Sequence, residues 1–195
     1  MIIMKKILFA ALVLTSTAVY SQGFQFGVKA GANVSNYTGG DIENSAIVGF
    51  VGGATFGFLI GEHFTLQPEV LFSAQGAKID GIGNNEEKFN VSYINVPVMA
   101  KFRFTGGFYL EAGPQVGFKV NESVPDNTIE NFAKDIDLSV AAGLGYHSPI
   151  GLGIGARYNA GLSKVGDFSV NNVDPDFKNS TLQFFVFYTL FNNKK

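Results

Sequence analysis

The segment Ile136-Asp137-Leu138-Ser139-Val140-Ala141-Ala142-Gly143-Leu144-Gly145-Tyr146, followed past Ser148-Pro149-Ile150 by Leu152-Gly153-Ile154-Gly155-Ala156-Arg157-Tyr158-Asn159-Ala160-Gly161-Leu162, decides how this chain is read. In both halves the apolar residues fall on every second position, the period of a strand with one apolar face. The other face carries Asp137, Ser139, Gly143, Gly145, Gly153, Gly155, Arg157 and Asn159. Two such runs joined by a short proline-containing connection predict an antiparallel hairpin. Glycines and charges share one side of it.

The same alternation recurs outward from this hairpin. Phe24 to Ala32, Val48 to Ile60, Phe64 to Phe72, Ile94 to Phe104, Phe108 to Phe118 and Leu182 to Leu190 complete eight runs, the last weakened by Phe185 and Phe187 on its inward face. The runs last about ten residues, whereas soluble strands average about five or six. A tilted strand crossing an outer membrane needs about 9–11. Their connections alternate in length. Short ones fall at Gly61-Glu62-His63, Thr105-Gly106-Gly107 and Ser148-Pro149-Ile150, and long ones at Ser35 to Ser45, Ala77 to Glu87, Asn121 to Lys134 and Val165 to Asn179. The expectation is all-β: an eight-stranded antiparallel up-and-down transmembrane β-barrel, with both termini on the periplasmic side of a Gram-negative outer membrane. An even strand count lets first and last strands pair and removes the edge that lipid does not tolerate.

The charge pattern points the same way. Lys29, Glu69, Lys101, Arg103, Glu111, Lys119, Asp137 and Arg157 all lie on the glycine-bearing face, with Asp135 beside them. In a narrow barrel they meet across the lumen, where pairing offsets their desolvation and glycines leave room for long side chains. Tyr146, Tyr158 and Tyr188 are expected in the interfacial aromatic girdles. Pro68, Pro97 and Pro114 remove ladder donors and predict local irregularity.

Composition sets the bounds. Of 195 residues, 24 are glycine and 20 phenylalanine, with a net charge of −2, no tryptophan and no cysteine. The missing cysteines exclude a disulfide framework, a thiolate nucleophile, a cysteine metal site and a lipobox anchor. A charge near zero gives no basic face for nucleic acid. Lys5 and Lys6, the apolar run Ile7 to Val19 and the small-residue pattern of Val19-Tyr20-Ser21 predict a signal peptide over 1–21, leaving 22–195 as one barrel domain.

Four stretches carry a resemblance: Leu66-Gln67-Pro68-Glu69-Val70-Leu71-Phe72-Ser73, Ile94-Asn95-Val96-Pro97-Val98, Leu110-Glu111-Ala112-Gly113-Pro114-Gln115-Val116-Gly117 and Ala156-Arg157-Tyr158-Asn159-Ala160-Gly161-Leu162. In these, and in their order along the chain, the sequence resembles the PorT-like, or porin-like, family of outer-membrane β-barrels. The resemblance implies an integral outer-membrane barrel and carries little mechanism. One departure is the tail Phe191-Asn192-Asn193-Lys194-Lys195 beyond the last run, expected to be a short periplasmic extension.

For function, the inward charges read first as the polar filling of a barrel whose interior side chains alone can occupy. A conduction path and a gating ion-pair network are the rivals. The long loops hold eleven of the 16 acids. Among them Asn171, Asp174 and Asp176 come nearest to a hard-cation cluster but lack calcium-loop spacing, so solvated surface is the expectation and no metal or cofactor is assigned. His63 and His147 lie at predicted short turns, and Ser73 and Ser139 lack a nucleophile elbow, so no catalytic residue is assigned. The expectation is a non-enzymatic barrel with a structural or interaction role through acidic extracellular loops. Its expected partners are outer-membrane lipid and lipopolysaccharide, the barrel-insertion machinery and proteins at the loops. The alternatives are a narrow pore or a component of a secretion or transport assembly, and a soluble lipocalin-like ligand-binding barrel.

Overall fold

The computed structural model describes residues 23–39, 44–80, 86–123, 134–164 and 177–193. These contain β1 (Gly23–Thr38), β2 (Asn44–Ile60), β3 (Phe64–Asp80), β4 (Glu86–Arg103), β5 (Phe108–Ser123), β6 (Ile136–His147), β7 (Leu152–Gly161) and β8 (Lys178–Asn193). Each strand pairs antiparallel with its neighbour, and β1 pairs with β8 from Phe24↔Asn193 to Thr38↔Lys178, so the sheet closes. The predicted short turns join β2 to β3, β4 to β5 and β6 to β7. Gly61, Gly107 and Gly151 supply positive φ there, which side chains rarely tolerate. Chain ends and short turns occupy one rim, and the longer connections the other.

The predicted faces hold. Phe50, Phe108, Leu144, Ile154, Phe184 and Val186 stand 53–64 % exposed on the outer wall, while Glu69, Arg157, Asn33 and Ser73 are fully buried inside. A soluble ligand-binding barrel needs the reverse arrangement, so the lipocalin-like alternative fails on geometry.

The strands run longer than the alternation suggested, 16 to 18 residues in β1 to β5 and β8. Parts of the expected loops at Ser35 to Ser45 and Ala77 to Glu87 are therefore sheet. Outward apolar residues on β1 end at Val34, before Asn36 and Thr38, and those on β8 begin at Leu182, after Lys178 and Ser180. About ten residues per strand thus match an apolar band about 25 Å tall, and the remainder extends the wall past it as polar hairpin. Backbone pairing needs no apolar face, so it continues where the hydropathy signal stops.

The irregularity expected at the prolines takes the form of missing ladder pairs: the register continues unshifted through Pro68↔Val98, Pro97↔Gln115 and Pro114↔Val140, while pairs beside these prolines drop out on the β3–β4 and β4–β5 seams. The register shifts fall elsewhere, at Phe26/Gly27, Ala46/Val51 and Ser92/Tyr93. One further expectation is corrected. Phe191-Asn192-Asn193 is not a tail: it forms the end of β8, and the shift at Phe26/Gly27 turns both Leu190 and Phe191 outward. Near that rim Phe24 packs on Phe58 and Phe191, Phe102 on Phe104, and Phe108 on Tyr146, at centroid distances of 5.1–6.3 Å. Tyr158, near the other border of the band, pairs its hydroxyl with Ser180 Oγ at 2.9 Å. The segment 1–21 lies outside the described residues.

Candidate functional site

The strand register builds the lumen. On β5, β6 and β7 the inward positions Glu111, Gly143 and Arg157 lie in one row, so Arg157 reaches Glu111 across a position with no side chain. A Cβ on Gly143 would sit 3.1 Å from Glu111 Oε1. Arg157 Nε donates to that oxygen at 2.7 Å, and its fork crosses the barrel to Glu69 on β3, Nη1 to Oε2 at 2.9 Å and Nη2 to Oε1 at 3.0 Å. The planar guanidinium suits this bidentate geometry.

Glu69 also accepts from Lys29 Nζ at 2.7 and 2.9 Å and from Gln67 Nε2 at 2.6 Å. Lys29 lies on β1, two strands from β3, and Gly53 of β2 stands between them in register, paired with Lys29 on one side and Leu71 on the other. Lys101 on β4 faces Glu111 in register, its Nζ 3.5 Å from Oε2 and 3.3 Å from Gln67 Oε1. Three cations and two carboxylates therefore fill one cross-section, every one of them buried. Taking such charges out of water costs several kcal/mol per ion, which their pairing and hydrogen bonds offset.

The surplus positive charge meets aromatic faces. Lys29 Nζ lies 4.1 Å from the Phe185 ring centroid and Arg157 Cζ 5.4 Å from the same ring. Lys101 Nζ is 4.1 Å from Tyr109 and 4.9 Å from Phe187. All are within cation–π range. The register pairs Phe185 with Gly155 and Gly31, Phe187 with Gly153, and Tyr109 with Gly145. A Cβ on Gly153 would lie 2.1 Å from Phe187 Cζ, and one on Gly155 2.6 Å from the Tyr109 hydroxyl. These glycines make room for rings as much as for charged chains.

Toward the long-loop rim the filling turns neutral. Asn33 Nδ2 donates to Ser73 Oγ at 2.9 Å, Gln75 Nε2 to the same oxygen at 2.8 Å, and Gln115 Nε2 to Ser139 Oγ at 3.1 Å. Above them Tyr37 packs on Phe177, centroids 4.9 Å apart, with Tyr93 and Val91 also buried.

Of the eight charged residues expected to form one network, the structure joins five: Lys29, Glu69, Lys101, Glu111 and Arg157. Lys119 sits near the long-loop rim, 3.1 Å from Glu122 and 3.5 Å from Asp135. Asp137 accepts from Ser163 Oγ at 3.0 Å. Arg103 lies near the short-turn rim and donates to His147 Nδ1. Strand parity places a residue on a face and says nothing of its height along the barrel, which is why one face became several separate groups. Tyr109, Phe185, Phe187 and Gln67 were missed as members. The signal was the row of inward glycines at 143, 145, 153 and 155, since four empty positions on one hairpin call for bulk on its neighbours. Asn171, Asp174 and Asp176 lie outside the described residues, and so do Asp41, Glu43, Asp126, Glu130 and Asp167.

A closed eight-stranded barrel with an apolar outer wall and a packed, charged interior is the architecture of a membrane-spanning barrel. The outer membrane protein beta-barrel domain matches residues 18–167, and the chain belongs to that family. It is thus an outer-membrane β-barrel protein. Among solved structures it is similar to Neisserial surface protein A, at 18 % identity over 85 % of this chain and 97 % of that one, with a TM-score of 0.56. It also matches Ail of Yersinia pestis, at 15 % identity over 87 % and 99 % with a TM-score of 0.49, and OprG of Pseudomonas aeruginosa, at 9 % over 89 % and 95 % with a TM-score of 0.47. At these identities the likeness concerns the fold alone. No curated protein matches the sequence.

Proposed function

We propose that this protein is a non-enzymatic, closed barrel of the Gram-negative outer membrane that works as a structural or interaction protein through its long loops. The observation that supports this best is the buried cross-section of Lys29, Glu69, Lys101, Glu111 and Arg157, packed between the Tyr109–Phe185–Phe187 cluster and the neutral layer around Asn33 and Ser73. Arg157 is 0 % exposed although it lies at the barrel's centre. A solvated ion path needs its charges wetted. Here they are spent on one another and on ring faces.

In this reading residues 1–21 direct secretion and are removed. The rim that holds both chain ends and the short turns faces the periplasm, and the long connections face outward with most of the acids. Outer-membrane lipid and lipopolysaccharide surround the wall, the insertion machinery seats it, and protein partners meet the loops. The resemblance to PorT-like barrels favours no one activity within that description.

The test is planar-bilayer conductance of refolded protein, after a heat-modifiable gel shift shows a closed barrel. A gel shift with no steady conductance is the expected result. A steady conductance altered by Arg157→Ala would overturn the closed-lumen reading and favour the narrow pore.

A further inference from the structure

The lower half of the lumen carries more positive charge than its carboxylates balance. Lys29, Lys101, Arg103 and Arg157 stand against Glu69 and Glu111. The two carboxylates are already committed to Lys29, Lys101 and Arg157. Arg103 is left with a different kind of neighbour: among the described residues no carboxylate lies within 4 Å of it, and its guanidinium donates to His147 Nδ1. That ring nitrogen then acts as acceptor, so Nε2 carries the proton and donates to Thr189 Oγ1 at 3.2 Å. His147 is held in place by this bond and by Phe187, whose ring centroid lies 5.0 Å away at 70°. It contributes no negative charge.

Arg103 is half-buried and opens onto a cavity of about 300 Å³ at the short-turn rim, walled also by His147, Ser148, Asn192 and the glycines Gly106 and Gly107. A Cβ built on Gly106 meets nothing within 4 Å, so the cavity is open at that glycine, whereas one on Gly107 would lie 2.6 Å from the His147 carbonyl oxygen. Among the described residues that line it the cavity holds no acid; it contains hydroxyl and amide groups and sits at the end of a low-dielectric tube whose described buried charges sum to an excess of cations. Such walls focus the field toward the mouth and raise the local concentration of counter-ions. A guanidinium with free donor positions is the group best suited to bind a carboxylate or phosphate in a bidentate way.

We propose that the short-turn mouth of the barrel is a binding site for an oxyanion, a carboxylate or phosphate group, held by Arg103 beside His147 and Ser148. The volume accommodates a small acid or the anionic group of a larger molecule that enters from the rim. The site is separate from the central charge cluster and does not depend on whether the lumen conducts.

The test is a titration of the refolded full chain with inorganic phosphate and with acetate at constant ionic strength, in a detergent without phosphate, following the arginine Nε–H and histidine ring resonances by NMR. Saturable shifts of Arg103 and His147 are expected, with Arg103→Gln weakening phosphate binding at least tenfold and Lys119→Gln, near the opposite rim, leaving it unchanged. The heat-modifiable gel shift of each variant shows that it has folded. Repeating the titration in phosphatidylglycerol nanodiscs separates two sources. An Arg103 resonance already displaced before phosphate is added identifies a lipid headgroup as occupant, and one displaced only by added phosphate identifies a free anion. Both support the site. Shifts that grow linearly without saturation, that chloride reproduces, or that persist in Arg103→Gln would overturn it.

Discussion

Arg157→Ala is the sharpest test of how the lumen is held together. The substitution removes three charge-assisted hydrogen bonds, at 2.7, 2.9 and 3.0 Å, from a side chain with no solvent exposure. Bonds to charged groups contribute about 1.5–3 kcal/mol each, a gross loss of about 5–9 kcal/mol. Part of that is recovered, because Glu69 keeps Lys29 and Gln67 as donors and Glu111 keeps Lys101 at 3.5 Å. Water also enters the vacated space and solvates Glu111. The expected net destabilisation is about 3–5 kcal/mol, the range for breaking a buried pair by removing one partner. Since the chain has no tryptophan, the assay is urea unfolding of the lipid-inserted protein followed by far-UV circular dichroism and by the gel shift. Glu69→Gln and the double variant complete a cycle, in which the two single losses should be far from additive. A loss below about 1 kcal/mol for Arg157→Ala, on the scale of an exposed pair, would refute the claim that the cluster is desolvated and holds the barrel closed.

Other outcomes follow from the same geometry. Glu69→Gln is expected to cost more than Glu111→Gln in the same unfolding assay, because Glu69 accepts five hydrogen bonds and Glu111 one; equal losses would mean that Arg157 alone sets the energy. Gly153→Ala places a Cβ 2.1 Å from Phe187 Cζ and should destabilise by about 1–3 kcal/mol through overpacking, with Phe187→Leu restoring part of the loss; an unchanged midpoint would show that the ring has room to move. Val140→Arg, on the outer wall midway along β6, should cost about 2–4 kcal/mol, whereas Ile150→Arg in the exposed turn should cost about 0–1 kcal/mol. Similar losses at both positions in lipid vesicles would contradict the placement of the apolar band.

The sequence by itself determined the strand count, the antiparallel order and which face of each strand points inward. Each of these rests on a period of two, a local property that Ile136 to Leu162 displays without help from the rest of the chain. It also located the three short turns, since glycine and proline punctuate the chain for local steric reasons. Strand ends were less legible. The alternation marks only the stretch in contact with lipid, so it stopped near Asn33 on β1 while backbone pairing carried on to Thr38. What only the tertiary structure decided is height and reach. Lys29, Glu69 and Arg157 are far apart in sequence and meet because barrel closure, stagger and the empty positions at Gly53 and Gly143 bring them to one level. Arg103, Lys119 and Asp137 share their parity but stand at other levels, so they pair elsewhere. Phe185 and Phe187 show the difference most plainly. In the sequence they weaken the pattern of the last strand, and in the barrel they fill the space left by Gly153 and Gly155 and offer their faces to the cations of a cluster in which cations outnumber carboxylates.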